Sequence, residues 1–470
     1  MMLNEQPPTL GHHLLGIEPV RVSSAVDRKP ERSTGKRLHN LRLATEYTSL
    51  VSHAPWDLAQ IIGPHVFKSN CPSLPRFINY GLGITISTVR YVLFSFSAFV
   101  FYAIFYFASI NGLHELGRKS IGSGKLPSID APLRTVYTGI EAIDHVFTLS
   151  TTFSYPTLDG HNPGLSLHGI GFSGIFSASW TLIILESWRK GNAGTIAAHP
   201  TMFGLIAQVL TFAFGIPLTC GLQLGCSITA HSPHADNIRI PRAVLVALPL
   251  IYVVGYMVPT VAMALPAPSV ISVDLKQVAI AFWHPWPAYV SILTTFAYLT
   301  LSPFFSNNHR ASMSSLRWVY AFAFANASLS HIVSWVVSLA TVVVPVLFEE
   351  RFLGSLHPAN VFSVSLPWSG LTVGNLGDGV HVFLQWDYNI GSAGVLIWAI
   401  SLYTAAHKHL LNPVSSPSLL FKIALLTLVA GPAAAAVELI WERDELVFTE
   451  TVGSRQEASK ASKSTEGSVT

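Results

Sequence analysis

The chain has 470 residues, of which half are hydrophobic and 11% are charged, with 28 basic residues against 25 acidic ones. Soluble proteins carry about 25% charged residues, so this composition excludes an ordinary water-soluble protein and predicts a polytopic membrane protein. The net charge of +3 is small, and no basic patch with interleaved aromatic residues occurs. Both features exclude nucleic-acid binding.

Composition divides the chain into three segments. Residues 1–76 are polar, with prolines and clustered basic residues, and predict a cytosolic, partly disordered lead segment. Residues 77–445 predict a transmembrane helical domain. Residues 446–470 are rich in serine, lysine and glutamate and predict a disordered tail. We expect a multi-pass integral membrane protein, located in the endoplasmic reticulum.

Apolar stretches of about 20 residues are long enough to cross a bilayer. Here they predict an all-α bundle of eight or nine spanning helices. Prolines at 217, 259, 285 and 287 are expected to kink or break their helices. The candidate crossings are 91–110, 135–156, 167–185, 202–226, 243–265, 277–305, 318–347, 380–406 and 419–441.

Glu141 and Asp144 lie three residues apart in a weakly apolar segment, so they share one face of a helix. Two close carboxylates in a dry environment cannot both ionise easily, and one of them tends to keep its proton. This arrangement favours general acid and base chemistry. The alternative is the end of a surface helix with both acids in water.

Asp159 precedes Gly160 in a turn-rich loop, where an aspartate is more often a turn former than a catalyst. Glu186 and Arg189 follow at the end of the next apolar stretch, three residues apart. Their spacing is typical of a helix-end salt bridge, which is the stronger interpretation. The alternative is that Glu186 accepts a proton and Arg189 holds a polar group.

Residues 282–287 read Phe-Trp-His-Pro-Trp-Pro and place Trp283 and Trp286 around a broken helix. The aromatic faces can line a chamber or form an interfacial belt, and the sequence favours neither. The loop 349–378 is too long for a simple connection and predicts a lid or a re-entrant segment.

Asp387 stands inside the apolar run 380–406, between Trp386 and Tyr388. A carboxylate at such a depth faces a polar cavity, pairs with a cation, or stays protonated because burial raises its pKa. A protonated acid in apolar surroundings is a proton donor. The competing interpretation is that Asp387 only bonds a neighbouring helix.

Metal and cofactor chemistry has no motif support in this sequence. The histidine pairs at 231 and 234 and at 407 and 409 fall in loops, and the three cysteines lack the CxxC spacing of a zinc site. The three cysteines are interpreted as buried thiols. No DDxxD or NDxxD run is present to hold magnesium on a diphosphate, and no nucleotide-binding or serine-hydrolase motif occurs. We therefore expect no metal and no cofactor.

Short blocks in a fixed order resemble the fungal membrane terpene cyclases of meroterpenoid pathways, of the ascochlorin and macrophorin type. The similarity extends over about 135–445. The blocks are Ile143-Asp144 with Phe153, Asp159-Gly160, Glu186-Ser187-Trp188-Arg189, Gly191-Asn192, Phe203-Gly204-Leu205, Phe383-Leu384-Gln385-Trp386-Asp387, Trp398-Ala399, Gly431-Pro432 and Trp441-Glu442-Arg443-Asp444.

The resemblance implies cyclisation of a prenylated, often farnesylated, aromatic or polyketide-derived intermediate, by protonation of an alkene or epoxide without metal. Such an enzyme is of the isomerase or lyase type. Its partners would be a lipophilic prenylated substrate, the lipid bilayer and other pathway enzymes.

Physical reasoning assigns roles that fit this activity. Asp387 and Asp144 are the candidate acids, with Glu141 beside Asp144. Either Asp159 or Glu186 is the candidate acceptor of the last proton, and Arg189 holds a polar ring of the substrate. Aromatic faces stabilise a carbocation by about 0.5 to 2 kcal/mol each. Their candidate sources are Trp283, Trp286, Trp386 and Tyr388.

Two other functions are compatible with the same residues. In a secondary transporter that exports a metabolite, the membrane acids would couple transport to protons. The lack of a visible internal repeat weakens that reading. In a non-catalytic membrane scaffold for pathway enzymes, the acids would have no chemical role.

Overall fold

The computed structural model describes residues 85–305, 309–410 and 415–466, with side chains for 85–305, 312–410 and 415–449. The lead segment predicted for 1–76 lies outside these residues. The described α-helices of five or more residues are α1 Ile86–Ile110, α2 Leu113–Ser123, α3 Glu141–Leu158, α4 Pro163–Ser187, α5 Pro200–Val209, α6 Phe212–Cys226, α7 Arg242–Ala264, α8 Val273–Trp283, α9 Trp286–Leu301, α10 His309–Val343, α11 Glu350–Leu356, α12 Pro358–Phe362, α13 Leu376–Leu410, α14 Ser416–Ala430 and α15 Pro432–Glu466.

The all-helical prediction is confirmed for the described residues, but the predicted count of eight or nine crossings is not. Five described helices are long and apolar enough to span a membrane: Ile86–Ile110, Pro163–Ser187, Arg242–Ala264, Ser312–Val343 and Leu376–Leu410. The segment around Glu141 forms the 18-residue helix α3, which is too polar to count among them. The remaining three predicted crossings are each divided into two helices.

The three divisions have local causes. Pro285 follows His284 between α8 and α9, as the proline pattern predicted. Gly431, at φ 93°, separates α14 from α15, because a glycine adopts this left-handed conformation without steric cost. Between α5 and α6 the break falls at Thr211, and Pro217, predicted to interrupt this stretch, lies inside α6.

The bundle is organised around α4 and α13. Helix α4 packs against α10, and α13 packs against α4, α6 and α15. Small residues permit these approaches. A methyl group at Gly174 of α4 would overlap Ser330 of α10, and one at Gly391 of α13 would overlap the ring of Phe212 in α6. The resulting core places polar side chains of α4 and α13 deep in the molecule.

Two further predictions can be compared with the described residues. Helix α15 continues to Glu466, into the tail for which composition favours disorder, and the division of the chain into segments stays a prediction. Cys220 is a buried free thiol as expected. Cys226 is disulfide-bonded, so its interpretation as a thiol was wrong.

Candidate active site

A buried ionic network joins the end of α4 to the interiors of α10 and α15. Arg189 Nε donates to Glu186 Oε1 at 2.6 Å, and Arg189 Nη2 donates to Asp444 Oδ2 at 2.9 Å. Arg443 Nη1 donates to Glu186 Oε1 at 3.0 Å, and the Tyr320 hydroxyl donates to Asp444 Oδ2 at 2.7 Å. Two cations therefore balance two carboxylates away from solvent, as a buried charge requires.

The second oxygen of Glu186 is also occupied. Its Oε2 accepts from the Thr229 hydroxyl at 3.1 Å and from the side-chain amides of Gln223 and Asn192, each at 3.3 Å. The third donor of Arg189, Nη1, bonds the Ile238 carbonyl at 2.8 Å. So many donors favour the ionised form of Glu186. The arrangement matches the salt-bridge interpretation of this pair.

Asp144 caps the loop that precedes α3. Its carboxylate accepts the N–H groups of Tyr137, Thr138 and Gly139 at 3.1, 2.6 and 3.0 Å, and the Thr138 hydroxyl at 2.9 Å. Burial by itself raises the pKa of Asp144, but the donors from residues 137–139 outweigh it and lower that pKa below its usual value. Asp144 is therefore held as a carboxylate.

Glu141 does not form the predicted proton-sharing pair with Asp144. The Glu141 side chain is exposed in the first turn of α3, whereas Asp144 is 6% exposed. Both residues do lie in the first turn of a helix, as their spacing predicted. However, the three N–H groups of the preceding loop hold the Asp144 side chain inside the bundle, whereas the Glu141 side chain lies on its surface.

Asp159 forms the predicted turn. Its Oδ1 accepts the N–H of His161 at 2.8 Å, and its Oδ2 lies 3.4 Å from His161 Nδ1. This bond to the backbone two residues on is the Asx turn that the Asp-Gly pair suggested. Asp159 follows the C-terminal end of α3, whereas the loop that Asp144 caps precedes the N-terminal end of the same helix.

Asp387 is buried and has no cation partner among the described residues. It is 5% exposed, and Oδ1 accepts the N–H of Ala213 at 2.5 Å. No salt bridge to Asp387 is formed by the described residues. Ala213 belongs to the first turn of α6, the helix that begins directly after Thr211. Thr211 has a φ of 152°, which is rare for a residue with a side chain. Asp387 thus closes the strained break between α5 and α6.

An aromatic cluster begins at the residue that starts α6. Phe212 contacts Phe172 and Phe176 of α4, with ring centroids 5.6 and 5.0 Å apart. Phe176 contacts Trp286 of α9 at 5.3 Å, and Phe172 contacts Tyr388 of α13 at 6.4 Å. These five rings, which we call the aromatic cluster, connect Asp387 and its neighbour Tyr388 to the broken helix of residues 282–287.

Trp283 extends the aromatic cluster through Tyr256, which lies 4.6 Å from Trp286 and 6.2 Å from Trp283. Trp386 does not join it. Trp386 contacts Phe99 of α1 at 5.9 Å, and its Nε1 donates to the Ser365 carbonyl at 2.9 Å. Each step along a helix turns the side chain by about 100°, so residues two apart point in nearly opposite directions. Trp386 and Tyr388 therefore face different helices.

His168 lies at the opposite end of the aromatic cluster from Trp286. It is 3% exposed, its ring lies 5.4 Å from those of Tyr388 and His381, and its Nε2 has no hydrogen-bond partner. Sequence reasoning missed this residue. An ionisable side chain inside the apolar stretch 167–185 was the signal, because such residues are functional candidates by default.

Comparison with known proteins identifies the family. The model of the CtvD domain matches residues 89–448. The chain belongs to the CtvD domain family. The matched range of the CtvD domain contains every candidate residue named above, from Glu141 to Asp444.

Curated relatives of this CtvD-domain chain are fungal terpene cyclases. Terpene cyclase ctvD of Aspergillus terreus is 31% identical over 76% of this chain and 98% of its own length. Terpene cyclase ascI of Acremonium egyptiacum is 30% identical over 73% and 88%, and terpene cyclase penA of Penicillium crustosum is 28% identical over 75% and 95%. No solved structure matches. The resemblance to fungal terpene cyclases is confirmed.

Proposed function

We propose that this chain is a membrane-bound terpene cyclase of fungal meroterpenoid biosynthesis, located in the endoplasmic reticulum. It protonates and cyclises a prenylated, farnesyl-type aromatic or polyketide-derived intermediate without a metal ion. The observation that carries the proposal is the position of Asp387, a buried acid with no cation partner among the described residues, next to the aromatic cluster.

Asp387 is the proton donor in this proposal. A buried carboxyl group is more stable protonated than ionised where it has no cation partner and its hydrogen-bond donors do not offset the loss of hydration. The N–H of Ala213 bonds Oδ1, and the Phe212 N–H and the Thr211 hydroxyl also interact with the carboxyl group; the proposal places the proton on Oδ2. Glu186 and Asp144 are poorer donors, because two arginines hold the first as an ion and three N–H groups hold the second.

The aromatic cluster stabilises the cation that follows. Each aromatic face contributes about 0.5 to 2 kcal/mol toward a nearby positive charge. Tyr388 follows Asp387 directly in the chain, and Phe212 precedes Ala213, whose N–H bonds Asp387. Trp286 is fully buried. The surrounding apolar helices also keep water away from the cation, which would otherwise be trapped as an alcohol.

His168 accepts the final proton. A buried histidine without a carboxylate partner is neutral, so one of its ring nitrogens has a lone pair. The proposal uses the tautomer with the lone pair on Nε2, which makes no hydrogen bond. The Asp387 proton bonds to the terminal alkene carbon or to the epoxide oxygen, and internal π bonds become new carbon–carbon bonds. A C–H bond beside the last cation then breaks, its electrons form an alkene, and its proton moves to His168. The product is an isomer of the substrate.

Substitution of the donor tests the proposal. Membranes containing the wild type, Asp387→Asn or Asp378→Asn are supplied with a farnesylated phenol and its terminal epoxide. Asp378 is the matched control, because it lies on α13 but is exposed and bonded to Asn375. We expect Asp387→Asn to lose about 10²- to 10⁴-fold in cyclised product, with normal protein levels, and Asp378→Asn to retain activity.

Deuterated water adds a second measurement. Alkene protonation places one deuterium on carbon in the product, whereas epoxide opening places it on an exchangeable hydroxyl. Full activity of a folded Asp387→Asn protein would exclude Asp387 as donor. Unchanged compound that crosses sealed vesicles would instead support a carrier, and no change in either assay on substitution of all five predicted acids would support a scaffold.

A further inference from the structure

A cavity of about 710 Å³ opens beside the buried ionic network. It is bounded by the end of α4, the loop 188–199, the start of α5, the segment 239–241 and one face of α9. A volume in this range is typical of pockets that bind a small organic molecule. Asp387 is not among the lining residues, so this cavity is a different site from the one that contains the proposed proton donor.

The cavity wall carries positive charge and no carboxylate. Arg189, Lys190 and Arg239 line it together with His199, and none of the lining residues is an aspartate or glutamate. The Arg189 guanidinium already donates hydrogen bonds to Glu186, Asp444 and the Ile238 carbonyl. Lys190 and Arg239 form no salt bridge with a described carboxylate, so their charges remain available to a ligand.

The backbones that carry the two available cations are hydrogen-bonded to each other. The N–H of Lys190 donates to the carbonyl of Arg239 at 3.0 Å, and the N–H of Gly191 donates to the carbonyl of Asn237 at 2.7 Å. These backbone bonds hold the loop after α4 against the segment before α7. Two cations on neighbouring backbones that line one cavity favour an anionic group that accepts from both.

The rest of the wall suits a flat ring with an apolar tail. Trp188 and Tyr298 lie with ring centroids 5.0 Å apart and both line the cavity. Ile184 and Ser291 mark its inner side. Trp180 lies four residues before Ile184 on α4, and Trp286 lies five residues before Ser291 on α9. At 1.5 Å per residue, each tryptophan is therefore about 6 to 8 Å along its helix from a residue that lines the cavity. Trp180 and Trp286 contact each other, with centroids 6.2 Å apart.

We propose that this cavity binds the anionic polar head of the substrate, a carboxylate or an ionised phenol, through Lys190 and Arg239. The prenyl tail then extends between α4 and α9 toward Trp286 and the aromatic cluster. The inference rests on the proposed function and narrows its substrate to acidic amphiphiles. Anionic lipid phosphates share the same chemistry and are the alternative occupant.

Binding tests the proposal without requiring turnover. The probes are a farnesylated dihydroxybenzoic acid and its methyl ester, which differ only in the ionised group. Kd is measured on the full chain in phosphatidylcholine nanodiscs for the wild type, Asp387→Asn, the double variant Lys190→Met/Arg239→Met, and Lys408→Met. Lys408 is an exposed lysine outside the cavity and serves as the control.

We expect the wild type to bind the acid at least about 10-fold more tightly than the ester, and the double variant to lose about 10- to 100-fold for the acid only. Lys408→Met and Asp387→Asn should keep the preference. Loss of turnover in Asp387→Asn with preserved binding separates this inference from the catalytic one. Equal binding of acid and ester by the wild type, or an unaffected double variant, would overturn it.

A second set of nanodiscs contains phosphatidic acid in place of some phosphatidylcholine. Weak competition with the acid probe is compatible with a substrate site that admits other anions. If phosphatidic acid abolishes probe binding at low mole fraction and stabilises the wild type but not the double variant, the cavity is a lipid site and the substrate proposal fails.

Discussion

Arg189 and Asp444 are 255 residues apart in the chain and form a 2.9 Å ion pair in which neither side chain is exposed. The pair connects the end of α4 to α15. Desolvated charges are stable only as a complete set, since removal of one partner leaves another charge buried without compensation. The network therefore determines whether the two helices can close on each other.

Substitution of one member of this network should destabilise the whole bundle. We expect Asp444→Ala to cost about 3 to 5 kcal/mol, because Arg189 and the Tyr320 hydroxyl lose their acceptor and Arg443 loses an ion-pair partner. Thermal unfolding of the detergent-purified protein measures the effect. Glu445→Ala is the control, since the adjacent Arg317–Glu445 pair is partly exposed and such pairs contribute at most about 1 kcal/mol. Equal shifts for both variants would contradict the buried network.

Asp144→Asn should lower stability rather than abolish chemistry. The substitution weakens the acceptor of three backbone N–H groups, and unsatisfied buried donors cost about 1 to 3 kcal/mol. Because the pKa of Asp144 is lowered in the folded protein, its contribution is complete above the unfolded value of about 3.9 and is lost as pH falls through the lower folded value.

Unfolding measured from pH 7 to pH 3 tests this sign. The difference between wild type and Asp144→Asn should stay constant down to about pH 4 and decrease below it. Glu141→Gln is the matched control, because its side chain is exposed on the same turn of α3. Loss of cyclisation in a stably folded Asp144→Asn protein would restore Asp144 as a candidate acid.

Gly391→Ala should impair activity through Phe212. The added methyl group overlaps the Phe212 ring, which is 1% exposed and begins the helix that Asp387 caps. Overpacking of this kind costs about 1 to 3 kcal/mol. We expect at least a 10-fold loss of product and partial recovery in Gly391→Ala/Phe212→Leu. Gly354→Ala, with nothing near the added methyl group, is the control for product yield.

His168→Phe should change which products form. The aromatic packing is kept while the proton acceptor is lost, so the last cation must lose its proton elsewhere or capture water. Chromatography with mass spectrometry should detect isomeric alkenes or a hydrated product. His161→Gln is the control, because His161 is an exposed loop residue. An unchanged product profile at a lower rate would indicate that His168 serves packing alone.

Sequence alone determined the broad character of the protein. An apolar, weakly charged composition leaves the bilayer as the only suitable solvent, and each long apolar run forms a helix because its backbone bonds are satisfied internally. The spacing of Glu186 and Arg189 predicted their contact, and the Asp159-Gly160 pair predicted a turn, since both depend on neighbours in the chain. The order of short blocks indicated the terpene cyclase family.

Tertiary structure decided which acid is available and what surrounds it. Asp387 and Asp144 were both candidate acids in the sequence, but folding places Asp387 against the residues that start α6 and Asp144 against three N–H groups of a loop. Trp386 and Tyr388 face different helices, and His168 lies beside Tyr388, more than 200 residues away in the chain. Protonation depends on the donors and charges that folding brings near a group, and a linear chain does not specify these distances.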